Sequence, residues 1–427
     1  MLFRSMKRFL LILLAALLLV SLAACGDEGA TGETTSVSQY KSKGDYTKVN
    51  NILSWEKINA FPVKRADMTE EEMRKLVVDF YNFSKSFVWV SDADYEYDVA
   101  SDAGKDNIYE GGVYSGMPYI SLGTNNVYRF MTYMDPETGV IDMEAAGKNQ
   151  YLFGNQCSMS CQWAWARIIN SVTGGWTEEI VKAKGYVPVG TYTYPDYVVS
   201  FKAYGTGDIC AENGQAVMFE SYAAMKHGDG LVKNNPGGHV IMCTADPYVV
   251  YTADGKIDAV SSYVLISEQT RNTGWVEHTN DSGDTYKMTG YIDRKLSFQK
   301  LFESAYIPFT FKEYTGADPI EETEVAFSHT GETISYDELL DSAVTSNYNI
   351  SDIYAIFTDK KGNEVYRLAV HTSRPSTREL RFVREHNNAY EWGDLNGLSA
   401  KETYTVQIVA QLGTGERPTL WTGTWAQ

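Results

Sequence analysis

The chain has 427 residues, a formal net charge of −18 and 44% hydrophobic residues. Such acidity argues against nucleic acid and against anionic lipid headgroups as partners. Once a leader and a polar tether over residues 1–50 are set aside, roughly 375 residues remain, enough for two or three domains. The thirty Tyr and nine Trp suit β-rich domains, and they also suit surfaces that hold peptide or carbohydrate.

The first element is a leader. Arg4, Lys7 and Arg8 form a basic head, and Phe9 to Val20 is uniformly apolar. A run of about 12 residues has the length of a signal-peptide core and is short for a membrane span. It ends in Leu22-Ala23-Ala24-Cys25. This ending resembles the lipobox of bacterial lipoproteins. The resemblance implies cleavage after residue 24 and lipidation of Cys25. The mature protein is then extracytoplasmic and held to the cell membrane by its lipid. Residues 25–50 are polar and rich in Gly, Ser and Thr, as a flexible tether would be.

Thr69 and Glu72 have the spacing of a capping box. Met73, Leu76, Val77, Phe80, Phe83 and Phe87 follow at helical period, which predicts a helix over about 70–88. Residues 92–107 are acidic and read as a loop. Gly111–Gly123 reads as a glycine-punctuated turn region. A second helix is predicted with Asn155 as N-cap and Cys157 in the first turn, ending at Gly174-Gly175. Cys161, Ala164, Trp165, Ile168, Ile169 and Val172 share one of its faces. A short helix is expected near Thr177–Ala183. From Pro188 the pattern turns to strands, with Gly237–Ala245 and Ser262–Ser267 as neighbours around a loop at Ala253–Lys256. This is an α+β layout.

After about residue 306 the style changes. Ile353–Val370 reads as a hairpin turning at Lys361-Gly362-Asn363. Tyr404–Ala410 alternates, and Tyr336–Ala343 has room for one short helix or turn. Short, evenly spaced strands predict a β-sandwich of immunoglobulin or fibronectin type. The expected division is a leader at 1–24, a linker at 25–50, an α+β domain at 51–305 and a β-sandwich at 306–427.

Beyond Cys25 the cysteines are Cys157, Cys161, Cys210 and Cys243. A cysteine at a helix N-terminus is favoured as thiolate by the helix dipole and by free backbone N–H groups. A neighbouring imidazole completes its activation. His239 follows Gly237-Gly238 at a strand start, and Glu268 and Gln269 lie just past the next strand, where either can orient an imidazole. A Cys157–Cys161 disulfide does not suit a helix, because Cβ atoms four residues apart lie about 5–6 Å from each other. One zinc ion cannot take both His239 and Cys243 from an extended strand, whose four residues span about 13 Å. Small buried thiols are the ordinary state for Cys161, Cys210 and Cys243.

Four motifs occur in order: Gly116-Met117-Pro118-Tyr119, Asn155-Gln156-Cys157-Ser158, Gly238-His239-Val240 and Glu268-Gln269. Together they resemble the papain-like cysteine hydrolases of the NlpC-type and CHAP group, over roughly residues 70–300. The resemblance implies a papain-like fold and cleavage of amide bonds in bacterial peptidoglycan, with no cofactor and no metal. It implies Cys157 as nucleophile, His239 as base, Glu268 or Gln269 as the orienting group, and Tyr119 beside the thiol. Cys161 is the alternative nucleophile, because its placement before Trp163-Ala164 resembles the papain pattern. Gln156, Met159 and Ser121-Leu122-Gly123 depart from the family pattern.

Overall fold

The computed structural model describes residues 44, 46, 49–100, 104–170, 186–194, 204–234, 237–270, 275–279, 283, 285–372, 376–383, 388–392, 398 and 402–426. The leader, Cys25 and the short helix expected near Thr177–Ala183 lie outside these residues. No helix among the described residues is long and apolar enough to cross a membrane.

The protein is mixed α+β and is built around two apolar cores. The first core takes Leu53, then Ile58 from the short helix Trp55–Asn59, and then the long helix Glu70–Ser86. Its capping box forms: the Glu72 N–H donates to Thr69 Oγ1 at 3.2 Å, and the Thr69 N–H donates to Glu72 Oε2 at 2.8 Å. Met73, Leu76, Val77, Phe80 and Tyr81 are buried along one side. At this depth each large apolar side chain stabilises the fold by about 1.5–3 kcal/mol. Two sheets complete the unit. One has five strands, ordered Val276–Thr279, Thr285–Met288, Val113–Ser115, Val88–Ser91 and Val140–Ile141. The other has six, ordered Gly290–Ser297, Tyr263–Gln269, His239–Tyr248, Gly230–Lys233, Ile307–Phe311 and Tyr186–Pro188.

Several expectations are corrected here. The acidic stretch 92–107 is not a loop, because Tyr95–Ala100 pairs antiparallel with Gly104–Ile108. Its Tyr97 and Val99 are buried at alternate positions while acidic residues take the outer face. The chain after Pro188 is not all strands, for Thr206–Ala223 is helical, with a break in helical geometry at Gly214. The boundary expected at 305/306 falls inside the first unit. Ile307–Phe311 pairs with Gly230–Lys233, and Tyr314 and Ile320 belong to the first core.

The second core gathers residues from Ile334 to Leu412. A three-stranded sheet (Val325–Phe327, Ala343–Ser346, Glu379–Arg381) and a six-stranded sheet both contribute to it. The hairpin forms as the pattern predicts, with Ile350–Thr358 antiparallel to Glu364–Thr372. The short helix within this unit is Tyr336–Asp341.

Candidate active site

The segment before Cys157 lies flat against the Gly116–Thr124 arm. The Asn155 N–H donates to the Pro118 carbonyl at 3.0 Å, the Ile120 N–H to the Asn155 carbonyl at 3.1 Å, and the Gln156 N–H to the Gly123 carbonyl at 3.2 Å. Close approach requires glycine at 123, since a Cβ there would stand 2.5 Å from the Gly154 carbonyl oxygen. The helix then runs Cys157–Trp165. It is shorter than expected, and Gln156 rather than Asn155 occupies the N-cap. The cap makes no side-chain bond, so no capping side chain takes the first N–H groups. Every residue of this helix is buried, so the one-sided face expected from the sequence is replaced by packing all round.

His239 opens the strand His239–Tyr248, which pairs with Tyr263–Gln269 through Met242↔Ser267. This pairing brings Glu268 to the imidazole, with Nε2 of His239 2.7 Å from Glu268 Oε2. Arg294 donates to the other carboxylate oxygen at 2.7 Å. The Cys157 thiol and the His239 ring lie within electrostatic reach and shift each other's pKa. Glu268 already holds Nε2, so Nδ1 is the nitrogen left for sulfur. Cys157 is 8% exposed. Burial raises its pKa. The charge of His239 and the N–H groups of Val240 and Ser158 outweigh burial and bring the thiol below its ordinary value. Burial lowers the imidazole pKa, while Cys157 and Glu268 lift it to about 9. Burial also pushes the Glu268 carboxyl up, and His239 and Arg294 hold it below the usual range. These directions describe a thiolate–imidazolium pair steadied by a carboxylate.

The remaining candidates separate cleanly. Gln269 does not reach His239. It accepts from Lys85 Nζ at 2.9 Å and donates to the Met117 carbonyl at 2.7 Å and to Thr289 Oγ1 at 2.9 Å. Cys161 is fully buried and donates to the Tyr81 hydroxyl at 3.3 Å, and burial pushes its thiol up to about 12. Such a thiol is protonated at neutral pH and unsuited to attack. Tyr119 is buried, and its backbone bridges to Asn155, which sets the arm beside the helix start. Cys210 and Cys243 are buried free thiols. The His227 ring lies 2.8 Å from Asp246 and is mostly covered, away from this centre. Trp163 is core, with its indole N–H on the Thr124 carbonyl at 3.2 Å.

Three neighbours carried no clear motif. Arg294 comes from the strand Gly290–Ser297, and only strand pairing reveals it. Tyr306 is buried within electrostatic reach of Glu268, Cys157 and Arg294. Lys85 lies on the same helix face as Val77 and Tyr81, so a lysine at that spacing on an apolar face was a readable signal. An open cleft of about 380 Å³ lies elsewhere, between Glu70, Arg74, Lys226, Asp229 and Thr310. No family model matches the chain, and no match is found among the curated proteins or the solved structures.

Proposed function

We propose that this protein is a cysteine hydrolase that cleaves amide bonds, with the peptide stems of peptidoglycan as substrate. The observation that carries the reading is the Cys157–His239–Glu268 series at an uncapped helix start, with Glu268 2.7 Å from the imidazole. The Cys157 thiolate attacks the carbonyl carbon and the C=O π electrons move to oxygen. N–H groups of the first helical turn hold that oxyanion, aided by the Tyr119 hydroxyl. His239 donates its proton to the leaving amine as the C–N bond breaks. Water then attacks the thioester, His239 takes the water proton, and the acid is released with the thiolate restored. Glu268 holds the imidazole in place throughout.

In this reading the first unit is a papain-like domain and the second an immunoglobulin- or fibronectin-type sandwich that spaces or binds. The leader and Cys25 tether both to the outer face of the cell membrane. A second reading, a surface module that binds without turnover, is favoured by the small exposure of Cys157. Alkylation with iodoacetamide across pH, mapped by peptide, separates the two. The hydrolase shows fast labelling at Cys157 below pH 8, slowed in His239→Ala, and wild type but not Cys157→Ala releases peptides from purified peptidoglycan. No fast thiol and no release would leave the binding module.

A further inference from the structure

The buried centre holds a charge that the hydrolase chemistry above does not use. Lys85 is 2% exposed, in the last turn of the helix Glu70–Ser86. Its ammonium donates to the neutral Gln269 Oε1 at 2.9 Å and stands 4.7 Å from the centre of the Tyr81 ring. No carboxylate forms an ion pair with it among the described residues. A buried lysine in a purely structural role is ordinarily paired, because an isolated buried charge is costly. The helix C-terminus eases that cost in part. The negative groups that act on Lys85 are those of the site: Cys161, Glu268 and Cys157. Cys161 is protonated, which leaves the thiolate and the carboxylate.

The backbone is built to keep Lys85 there. Gly116, at φ +62°, lies so close that a Cβ would sit 2.9 Å from the Lys85 Cα and carbonyl oxygen. Ser115 Oγ donates to that carbonyl at 2.6 Å. The Gly116–Tyr119 arm, the helix end and Gln269 are thus locked around the ammonium.

We propose that Lys85 is a positioning residue, a buried counter-charge that stabilises the Cys157 thiolate from the inner side while Arg294 holds Glu268 from the solvent side. This rests on the hydrolase reading. Cys157 and Glu268 are negative and His239 and Arg294 positive, so the centre is balanced in charge and Lys85 adds one positive charge on its buried side. Burial brings the lysine down to about 8, so it remains mostly charged at neutral pH. The titratable groups within electrostatic reach of Cys157 are His239, Lys85, Cys161 and Tyr306; Lys85 touches Tyr81 and Gln269 and lies within electrostatic reach of Cys161, Glu268 and Cys157.

The test is the pH dependence of Cys157 alkylation by iodoacetamide in the full folded chain. Lys85→Gln keeps a hydrogen-bond donor for Gln269 and removes the charge. It is expected to raise the labelling midpoint by about one pH unit and to slow labelling on the acid side about tenfold. Lys85→Arg restores the midpoint, and Gln269→Met, which removes the clamp and keeps the charge, leaves it in place. If Lys85→Gln does not fold, the pair Lys85→Met with Gln269→Leu removes both polar partners together and is read the same way. An unmoved midpoint in the charge-removing variants, or an equal shift in Gln269→Met, overturns the proposal while the hydrolase reading stands. A slow Cys157 in wild type overturns that reading itself.

Discussion

Cys157 and Cys161 stand one helical turn apart, yet their thiols are driven in opposite directions. Both are buried, which by itself raises both. Cys157 meets an imidazolium and two backbone N–H groups, whereas Cys161 meets a tyrosine hydroxyl. Glu268 and Gln269 diverge in the same way, one to His239 and one to Lys85. In the sequence Cys157 is the favoured nucleophile with Cys161 as the alternative, while Glu268 and Gln269 stand level because their chemistry and spacing are alike. Only the direction of each side chain divided them. A pH prediction follows from the shifts. The thiolate–imidazolium pair exists from the depressed Cys157 value up to about 9, where His239 loses its proton. Turnover is therefore expected to fall as pH rises through about 9. His239 is lifted by Cys157 and then by Glu268, so Glu268→Gln removes part of that lift, the alkaline limb moves to lower pH and kcat falls by roughly 10²-fold. Steady-state rates across pH check both outcomes.

The elements that hold the site meet through backbone rather than side chains. The arm at 118–124 and the helix lead-in at 154–156 share three hydrogen bonds, and Gly123 sits where they come closest. Gly123→Ala forces backbone apart at 2.5 Å, and overpacking of this kind costs about 1–3 kcal/mol. The variant is expected to lose that stability in urea unfolding and to alkylate more slowly at Cys157, because the helix start moves. Elements with strong period and strong caps were legible, as the helix from Glu70 and the hairpin around Gly362 show. Tyr95–Ile108 was hidden because its acidic residues mask an alternation of Tyr97 and Val99. Thr206–Ala223 was hidden because Gly214 breaks it and its apolar residues form no single stripe.

The two cores are joined by buried polar contacts. Arg129 is fully buried, donates to the Thr372 carbonyl at 2.7 Å, and lies 3.6 Å from the buried Asp352. The His371 ring is 2.5 Å from the same carboxylate. Lys64 reaches across to the Glu321 carbonyl at 2.7 Å and lies over the Tyr348 ring. Asp352→Asn strands the Arg129 charge and is expected to lower stability by roughly 3–5 kcal/mol. Arg129→Met with Asp352→Leu recovers most of that loss, and a double-mutant cycle by chemical denaturation measures it. Burial pushes Asp352 up, and His371 and Arg129 outweigh it and hold the carboxyl below its ordinary value. A depressed carboxylate contributes stability above its unfolded pKa, so this contribution is lost as pH falls through the folded value.

The sequence by itself determined the α+β character, the capping box, the strand pair bearing His239 and Glu268, and the short list from which a site could be drawn. Those features are local, because they depend on period, capping and residue type within a few positions. Tertiary structure alone decided that Glu268 and not Gln269 meets the imidazole, and that Cys157 and not Cys161 is the lowered thiol. It also placed Arg294 and Lys85 at the site and Ile307–Phe311 in the first unit's sheet. These outcomes depend on which faces of distant segments are pressed together. Burial and the charges met there set protonation, and both arise from residues far apart in the chain, as Lys85 and Gln269, 184 positions apart, show.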